Sequence, residues 1–249
     1  PGTYAMGFDL LQGDRPLYAS PALTVTLPRL LAVKAARIPF TPTDAGALLV
    51  RADPLAGEGL TLAVEGGGAS LYSGPLQAGV QTEVPISLAK LPLGRVPLQV
   101  RLSRGGQSLS SLVYNLLLAA PNPSGVVIDN RSRTLLVAGL PYCPQSCYAD
   151  MRTVDDVIET EPVWGFNTIA PYLSTSLEQR RDRTRVRQML DRCAQVGLRV
   201  QLAVHGVSRP PHTEEKWQWL KEEIEAFRDH PALLSYYLAD EPELGWAKP

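Results

Sequence analysis

The chain has 249 residues, 45% of them hydrophobic, and its 24 Lys and Arg residues nearly balance its 25 Asp and Glu residues. That length can bury one large core or two modest ones, and the balanced charge removes the electrostatic basis for nucleic-acid binding. No apolar run approaches the roughly 18 residues that would span a bilayer, and the first residues lack a signal-peptide core.

From about residue 20 to residue 120 the sequence is typical of short antiparallel strands. Apolar residues alternate with polar or small ones in LTLAVEG (60–66) and in RVPLQVRLS (95–103). The RGG at 104–106 supplies a turn, after which QSLSSLVYNLLL (107–118) returns as the partner strand. About seven or eight such runs, with no convincing helix among them, predict an antiparallel β-sandwich.

This first domain, which we place at residues 1–125, shows no catalytic constellation. We interpret it as a structural or accessory domain. A carbohydrate-binding surface is the alternative, and Tyr72, an aromatic residue expected to be exposed, supports it. The sequon Asn130-Arg131-Ser132 just beyond it would matter only in a secreted eukaryotic protein.

After residue 150 strands alternate with helices. GFNTIAPYL (165–173) is a continuous apolar run suited to a strand buried on both faces. The next segment predicts a helix that stops at Gly197. Its apolar residues recur at helical spacing and include a core cysteine: Val186, Met189, Leu190, Cys193 and Val196.

A second strand and helix follow. LRVQLAVHG (198–206) is the strand, and Thr213 caps the helix. The predicted buried stripe of this helix comprises Trp217, Leu220, Ile224 and Phe227. ALLSYYLADEP (232–242) is the strand after it, with Tyr236 and Tyr237 on opposite faces. Two strand–helix–strand crossovers of this length predict a parallel sheet.

Cysteine and histidine placement predicts neither a disulfide nor a metal site. Cys143 and Cys147 would lie about 13 Å apart in an extended strand at ~3.3 Å per residue, beyond disulfide reach. A zinc site would need more ligands at suitable spacing, and the three histidines lie elsewhere in the sequence. We therefore expect no metal and no cofactor.

The segment that joins the two halves has a recognisable order. In GVVIDNRSRTLLVAGLPYCPQSCYAD (125–150) we expect a hairpin closed at 139–141 and then a short strand at 142–148. The sequence W-G-F-N-T follows at 164–168. This order resembles the junction in large glycoside hydrolases of the clan A barrel type, in which a β-sandwich precedes a (β/α)8 barrel. The resemblance covers about residues 124–246.

The resemblance implies a multidomain β plus α/β fold. An immunoglobulin-like sandwich would be followed, at residues 126–249, by the first half of a TIM (β/α)8 barrel that is truncated after its fourth strand. Its barrel strands would be the four segments 142–148, 166–173, 198–205 and 233–241. The chain begins without Met, so we expect its N-terminus to be cut or processed, and we expect the whole to be a fragment of a longer protein.

Glu241 is the residue that the resemblance implies as general acid/base, because the fourth barrel strand of the family ends in Asn-Glu-Pro. Here Asp240 replaces the Asn that helps to hold the sugar, and it can still accept a hydroxyl hydrogen bond. A carboxyl at a strand end in a mostly apolar cleft is partly desolvated, which raises its pKa toward the range that a general acid needs. Alternatively, the two acids lie in solvent just after the strand ends and have no catalytic role.

Three other residues are candidate substrate-binding groups. His205 ends the third predicted strand and could bind a sugar hydroxyl or hold Glu241, or be structural. Tyr172 could line the cleft or pack in the core. Trp246 could be an aromatic platform for a sugar ring or an ordinary loop residue.

Three function classes remain open from the sequence. The first is a fragment of a retaining glycoside hydrolase that acts on a β-linked carbohydrate, secreted or on the cell surface rather than cytoplasmic. Its nucleophile, a Glu on the seventh strand, is missing from this chain, so the fragment alone is expected to be inactive. The second is a carbohydrate-binding or structural barrel protein without hydrolysis. The third is an unrelated two-domain adhesion module.

Overall fold

The computed structural model describes residues 2–7, 9–27, 29–150, 153–172, 183–204 and 211–238. The chain divides into two compact units: residues 1–121 with 127–134, and residues 122–126 with 135–249. The domain boundary expected from the sequence, between residues 125 and 126, lies in the stretch where the chain passes from one unit to the other. The described residues include no helix that is both long and apolar enough to cross a bilayer.

The first unit begins with two antiparallel sheets of two strands each. Their strands are β1 (Gly2–Met6), β2 (Asp9–Gln12), β3 (Arg15–Ala19) and β4 (Leu23–Leu27). β1 pairs with β4 and β2 pairs with β3, all antiparallel. Alternation places Tyr4 and Met6 on one face of β1, and both side chains, like that of Leu23 opposite Met6, are exposed.

Two antiparallel sheets follow. The remaining strands of the first unit are β5 (Leu31–Ala35), β6 (Arg37–Ile38), β7 (Ala47–Ala52), β8 (Leu60–Gly66), β9 (Ala69–Leu76), β10 (Gln81–Pro85), β11 (Gly94–Arg104), β12 (Gln107–Leu118) and β13 (Val126–Asp129). One sheet has the order β10-β7-β5 and the other the order β12-β11-β8-β9, and β6 pairs with β13. A short 3₁₀ turn lies at Pro54–Ala56.

The buried faces of the two sheets share one core. In β11, Val96, Leu98, Val100 and Leu102 are buried, as the alternation in the sequence predicts. β11 and β12 form the predicted hairpin, and its turn has positive φ at Gly105 and Gly106, which suits a two-residue hairpin loop. The Tyr114 hydroxyl of β12 accepts the N–H of Ala35 in β5 at 2.8 Å and so links the two sheets.

The sequon belongs to a turn that is fixed on the first unit. The Asn130 side-chain amide donates to the Ala35 carbonyl at 2.8 Å, and its backbone N–H donates to the Ala36 carbonyl. The Ser132 hydroxyl donates to Asp129. Both polar side chains of the sequon are therefore used within the fold.

The second unit consists of a hairpin followed by a parallel sheet with helices. Its elements are β14 (Thr134–Val137), β15 (Leu140–Tyr142), β16 (Ser146–Asp150), α1 (Val154–Thr160), β17 (Thr168–Tyr172), α2 (Arg183–Gln195), β18 (Arg199–Ala203), α3 (Glu214–Phe227) and β19 (Leu233–Tyr237). β16, β17, β18 and β19 are neighbours in that order, and all their pairings are parallel.

The first strand of this sheet lies later than the sequence predicts. The expected strand 142–148 is divided: Tyr142 ends β15, which pairs with β14, and the parallel strand begins only at Ser146. Pro144 falls between the two. Since proline has no N–H to donate to a ladder, it separates the hairpin from the parallel sheet.

The helices pack on one side of the sheet. Some of the apolar side chains that the sequence predicts to be buried on α2 and α3 are exposed instead. In α2, Val186, Met189, Leu190 and Cys193 are buried, whereas Val196 is 45% exposed beyond the helix end. In α3 the buried positions are Glu223 and Phe227; Trp217 is 51% exposed, and Leu220 and Ile224 are half-buried. The predicted stripe of α3 is therefore turned partly away from the core.

Candidate functional site at the carboxyl ends of the parallel strands

The carboxyl ends of β16 to β19 lie along one edge of the parallel sheet. In the register of the sheet, Asp150 pairs with Tyr172, the last residue of β17, and Ala203 pairs with Tyr237, the last residue of β19. In α/β barrels the groups that bind and transform substrate come from this edge. It is consequently the place to look for a site in the second unit.

Most of the site residues expected from the sequence lie just beyond the described strands. Glu241, Asp240, His205 and Trp246 are outside the described residues. Tyr172 is placed by its backbone at the carboxyl end of β17. Along the chain, His205 comes two residues after the end of β18, and Asp240 comes three residues after the end of β19.

Asp150 is a carboxylate at this edge that the sequence reading did not select. It ends β16 and is exposed, and its carbonyl accepts the N–H of Thr153 at 3.0 Å in the turn before α1. The signal was present in the sequence: SCYAD, like YYLAD, is a short run of apolar and small residues that ends in an acid. The strand expected from the sequence ends at residue 148, two residues before Asp150, so the acid was not recognised as a strand end.

The two faces of the sheet differ in chemistry. Cys147 and Ala149 of β16 pack in the core on the helix side, so Tyr148 and Asp150 lie on the other face. Tyr148 is 67% exposed there. Tyr237 also lies on that face, because its neighbour Tyr236 packs with the helix-side core. Tyrosine and aspartate side chains therefore lie on the face of the sheet away from the helices.

Tyr236 and Tyr237 point to opposite faces, as predicted from alternation. The Tyr236 hydroxyl donates to the carbonyl of Ile224 in α3 at 3.1 Å. Burial is the main cause that raises the pKa of Tyr236 to about 12. This tyrosine is a packing residue between sheet and helix, which leaves Tyr237 as the one that can line a site.

The opposite edge of the sheet is held by a dense hydrogen-bond network centred on Asn167. Its Oδ1 accepts the Gln145 N–H at 2.8 Å and the Thr168 hydroxyl at 2.9 Å, and its side-chain amide donates to the Cys143 carbonyl at 2.9 Å. The Tyr142 hydroxyl donates to the Asn167 carbonyl at 2.7 Å. The last two residues of W-G-F-N-T thus join the hairpin strand β15 to the start of the sheet.

Two cysteines of the second unit, Cys147 and Cys193, are not suited to nucleophilic or metal chemistry. Burial, and then a hydrogen bond to Glu161, raises the pKa of the Cys147 thiol to about 11. Burial raises the pKa of Cys193 to about 12. Both are thiols at neutral pH, and it is the thiolate that attacks or binds metal. Over the described ranges, no group of three or more His, Cys, Asp and Glu could hold a metal ion.

Tyr72, the aromatic residue of the first unit that was expected to be exposed, is not. Tyr72 is half-buried and packs against the core instead of standing exposed. In the described strands, the outward positions of the larger sheet carry residues such as Gln99, Arg101, Glu65 and Val113. Aromatic rings are the usual stacking surface for flat ligands, so Tyr72 gives no support to a carbohydrate-binding sandwich.

Comparisons with known proteins give low structural similarity to glycoside hydrolases. A Bacteroides vulgatus protein assigned to the glycoside hydrolases matches 97% of this chain and 49% of its own, with 12% identity and a TM-score of 0.37. A β-glucuronidase from Ruminococcus gnavus matches 87% of this chain and 38% of its own, with 11% identity and a TM-score of 0.33. A family 39 glycoside hydrolase from Bacteroides cellulosilyticus matches 84% and 44%, with 16% identity and a TM-score of 0.29.

These values do not assign an activity to the chain. The chain spans about half the length, or less, of these structures. No protein-family model matches it, and no curated protein gives a significant match.

Proposed function

We propose that the chain is the N-terminal part of a retaining glycoside hydrolase that acts on a β-linked carbohydrate, with an immunoglobulin-like sandwich before the first half of a clan A (β/α)8 barrel. The observation that carries the proposal is the parallel order of β16 to β19. The fourth of these strands ends three residues before Asp240-Glu241 along the chain. Catalytic groups of such barrels come from the carboxyl ends of their strands.

In the proposed mechanism Glu241 is first an acid and then a base. It donates a proton to the glycosidic oxygen while the bond from that oxygen to the anomeric carbon breaks. A second carboxylate, expected about 5–5.5 Å away on a seventh strand that this sequence does not include, forms the glycosyl ester. Glu241 then takes a proton from water, whose oxygen attacks the anomeric carbon and releases the sugar.

The remaining residues of the edge would bind the sugar. Asp240 and Asp150 can accept hydrogen bonds from hydroxyl groups, and His205 can accept or donate one. Tyr172, Tyr237 and Trp246 would supply aromatic contacts. Because the nucleophile is absent from this sequence, we expect the 249-residue chain alone to bind carbohydrate weakly and not to hydrolyse it.

A second candidate is a barrel protein that binds carbohydrate, or has a structural role, without hydrolysis. Tyr237 favours binding, since it ends β19 at the carboxyl edge of the sheet, where a tyrosine ring could contact a sugar. Such a ring can stack on a sugar whether or not catalysis follows. This candidate makes no use of Glu241 as an acid.

The test is Glu241→Gln in the full-length protein. Turnover of substrates with poor leaving groups should fall by about 10²–10⁴-fold, because a basic departing oxygen needs the proton most. Activated aryl glycosides should be affected far less. Azide should partly restore the second step, since this anion attacks the glycosyl ester without a base.

Asp240→Asn is the matched control, because it places at residue 240 the amide that the resembled family carries. It should be the milder change. If Glu241→Gln kept its activity on poor leaving groups while Asp240→Asn abolished it, the roles would be reversed. If neither variant changed turnover, the two acids would only mark the end of the strand, and the hydrolase proposal would fail.

A further inference from the structure

Two neighbouring helices of the second unit are joined by an ion pair with one partner in the interior. Arg183, the first residue of α2, donates through Nε to Oε1 of Glu223 in α3 at 2.7 Å. The Glu223 side chain is 2% exposed and that of Arg183 is 46% exposed. The pair thus connects the beginning of α2 to a carboxylate buried on α3.

Arg183 also binds a second carboxylate, that of Glu222. Its Nη2 donates to Oε2 of Glu222 at 3.1 Å. The pKa of Arg183 is raised above its usual value, chiefly by the hydrogen bond to Glu223 and then by that to Glu222. The guanidinium is accordingly a permanent cation between two anions.

Arg187 contacts α3 one helical turn further along. Its Nη2 donates to the Ala226 carbonyl at 2.6 Å, and its guanidinium lies 5.6 Å from the centre of the Phe227 ring. Residues four apart lie on the same face of a helix. The two arginines therefore form one row of contacts that holds α2 beside α3.

The Glu223 carboxylate depends on Arg183 for its charge partner. Its second oxygen, Oε2, is buried and has no hydrogen-bond partner in the described part of the chain. The nearby Tyr236 hydroxyl donates to the Ile224 carbonyl instead. A buried carboxylate that loses its cation is strongly destabilised, because neither water nor another donor replaces the interaction.

We propose that Glu223 locks the first turn of α2 in place. Helix ends ordinarily fray, but here fraying would separate Arg183 from a buried carboxylate and leave that charge unpaired. The first turn of α2 is where the chain returns after leaving the carboxyl end of β17. Glu223 adjoins Ile224, whose carbonyl accepts from Tyr236 near the carboxyl end of β19. The lock does not rest on the proposed function.

Hydrogen exchange of the 249-residue chain tests the lock. The relevant amides are those of residues 187–190, whose N–H groups bond to the carbonyls of the first turn. In Arg183→Met, which keeps the apolar part of the side chain but loses the charge, their exchange should become about tenfold faster or more through local opening. Exchange in the first unit should not change.

A double variant separates the buried charge from simple loss of contact. Arg183→Met combined with Glu223→Met removes both charges, so opening no longer relieves an unpaired carboxylate. Its exchange at 187–190 should return to within about threefold of the parent. Arg192→Met is the matched control, because it removes an arginine of the same helix whose partners, Asp155 and Glu159, are exposed carboxylates; residues 187–190 should then exchange as in the parent.

Three results would overturn the lock. One is unchanged exchange at 187–190 in Arg183→Met, and another is a double variant that exchanges as fast as the single one. The third is an effect of Arg192→Met on exchange at 187–190 equal to that of Arg183→Met. If Arg183→Met does not fold, the double variant decides: a folded chain with protected amides at 187–190 supports the lock, and an unfolded chain overturns it.

Discussion

The two edges of the parallel sheet differ in how their polar side chains are engaged. At the amino-terminal edge, Asn167 and Tyr142 tie a hairpin and three strands together through short hydrogen bonds, including one from the Arg199 N–H to the Asn167 carbonyl at 2.8 Å. At the carboxyl-terminal edge, Asp150 is an exposed carboxylate beside the end of β17. In (β/α)8 barrels, residues at the amino-terminal edge of the strands contribute mainly to stability, and residues at the carboxyl-terminal edge carry out the chemistry.

This difference between the two edges explains why a motif such as W-G-F-N-T can be recognisable without being catalytic. W-G-F-N-T carries much of the resemblance to glycoside hydrolases, yet its Asn167 and Thr168 are engaged at the edge away from the candidate site. A motif can persist because the strands cannot start correctly without it. A function has to be argued from the residues at the carboxyl-terminal edge, such as Asp150 and Tyr172.

The largest expected effect on stability is that of substitutions at Asn167, of which Asn167→Ala is the simplest. It removes two side-chain hydrogen bonds to backbone groups of Cys143 and Gln145 and one to Thr168. The free energy of unfolding should fall by about 2 kcal/mol, since polar groups inside the network lose their partners. Urea unfolding followed by tryptophan fluorescence measures it, because all four Trp residues lie beyond residue 160 in the second unit.

Two further variants sharpen this measurement. Asn167→Asp keeps an acceptor for the Gln145 N–H but turns a carboxylate oxygen toward the Cys143 carbonyl oxygen, and this repulsion should make its loss at least as large as that of Asn167→Ala. Asp150→Ala, at the other edge, removes an exposed carboxylate from a strand end and should lower the free energy of unfolding by less than Asn167→Ala does. An equal loss at both edges would mean that the edges are not specialised.

Asp150→Asn should lower the proposed activity. In the full-length protein we expect kcat/KM to fall about tenfold, because a neutral amide replaces a charged acceptor for a sugar hydroxyl, and tenfold corresponds to about 1.4 kcal/mol. Asp155→Asn, in α1 and paired with Arg192, is the control outside the edge. Unchanged kcat/KM in Asp150→Asn would remove Asp150 from the site.

Tyr142→Phe should cost about 1 kcal/mol, the smallest of the three effects, through loss of its hydrogen bonds to the Asn167 carbonyl and Thr168 hydroxyl. Burial raises the pKa of Tyr142 above its ordinary value of 10.0. The unfolded chain therefore releases this proton at lower pH, and the stability that Tyr142 contributes is lost as the pH rises above about 10. Tyr142→Phe should show a weaker decline of stability in that alkaline range; an identical decline would contradict the assignment.

Part of this fold could be predicted because periodicity reports burial directly. The alternation in β11 predicted which side chains are buried, and the helical spacing in α2 predicted Val186, Met189, Leu190 and Cys193 as core residues. Crossover lengths then predicted the parallel order of the sheet. These features depend on residues close together in the sequence.

The rest depends on partners distant in sequence. In α3, positions 217, 220, 224 and 227 fit a buried stripe, but the helix buries Glu223 because Arg183 lies opposite, 40 residues away. Tyr72 was expected at the surface because nothing local shows that it packs against the core. The candidate site is harder still, because its edge is built from strand ends that meet only in the folded sheet.

The hairpin of β11 and β12 also bears on how fast each unit can form. Its strands meet around Gly105-Gly106, so pairing spreads outward from neighbours such as Arg104 and Gln107 with little loop entropy to overcome. In the parallel sheet, Ser146 reaches Thr168 only after 22 intervening steps of the chain, and every later pairing needs another helix in between. Since local pairing is kinetically favoured, and N-terminal segments leave the ribosome first, the antiparallel sheets can assemble while the parallel strands are still being synthesised.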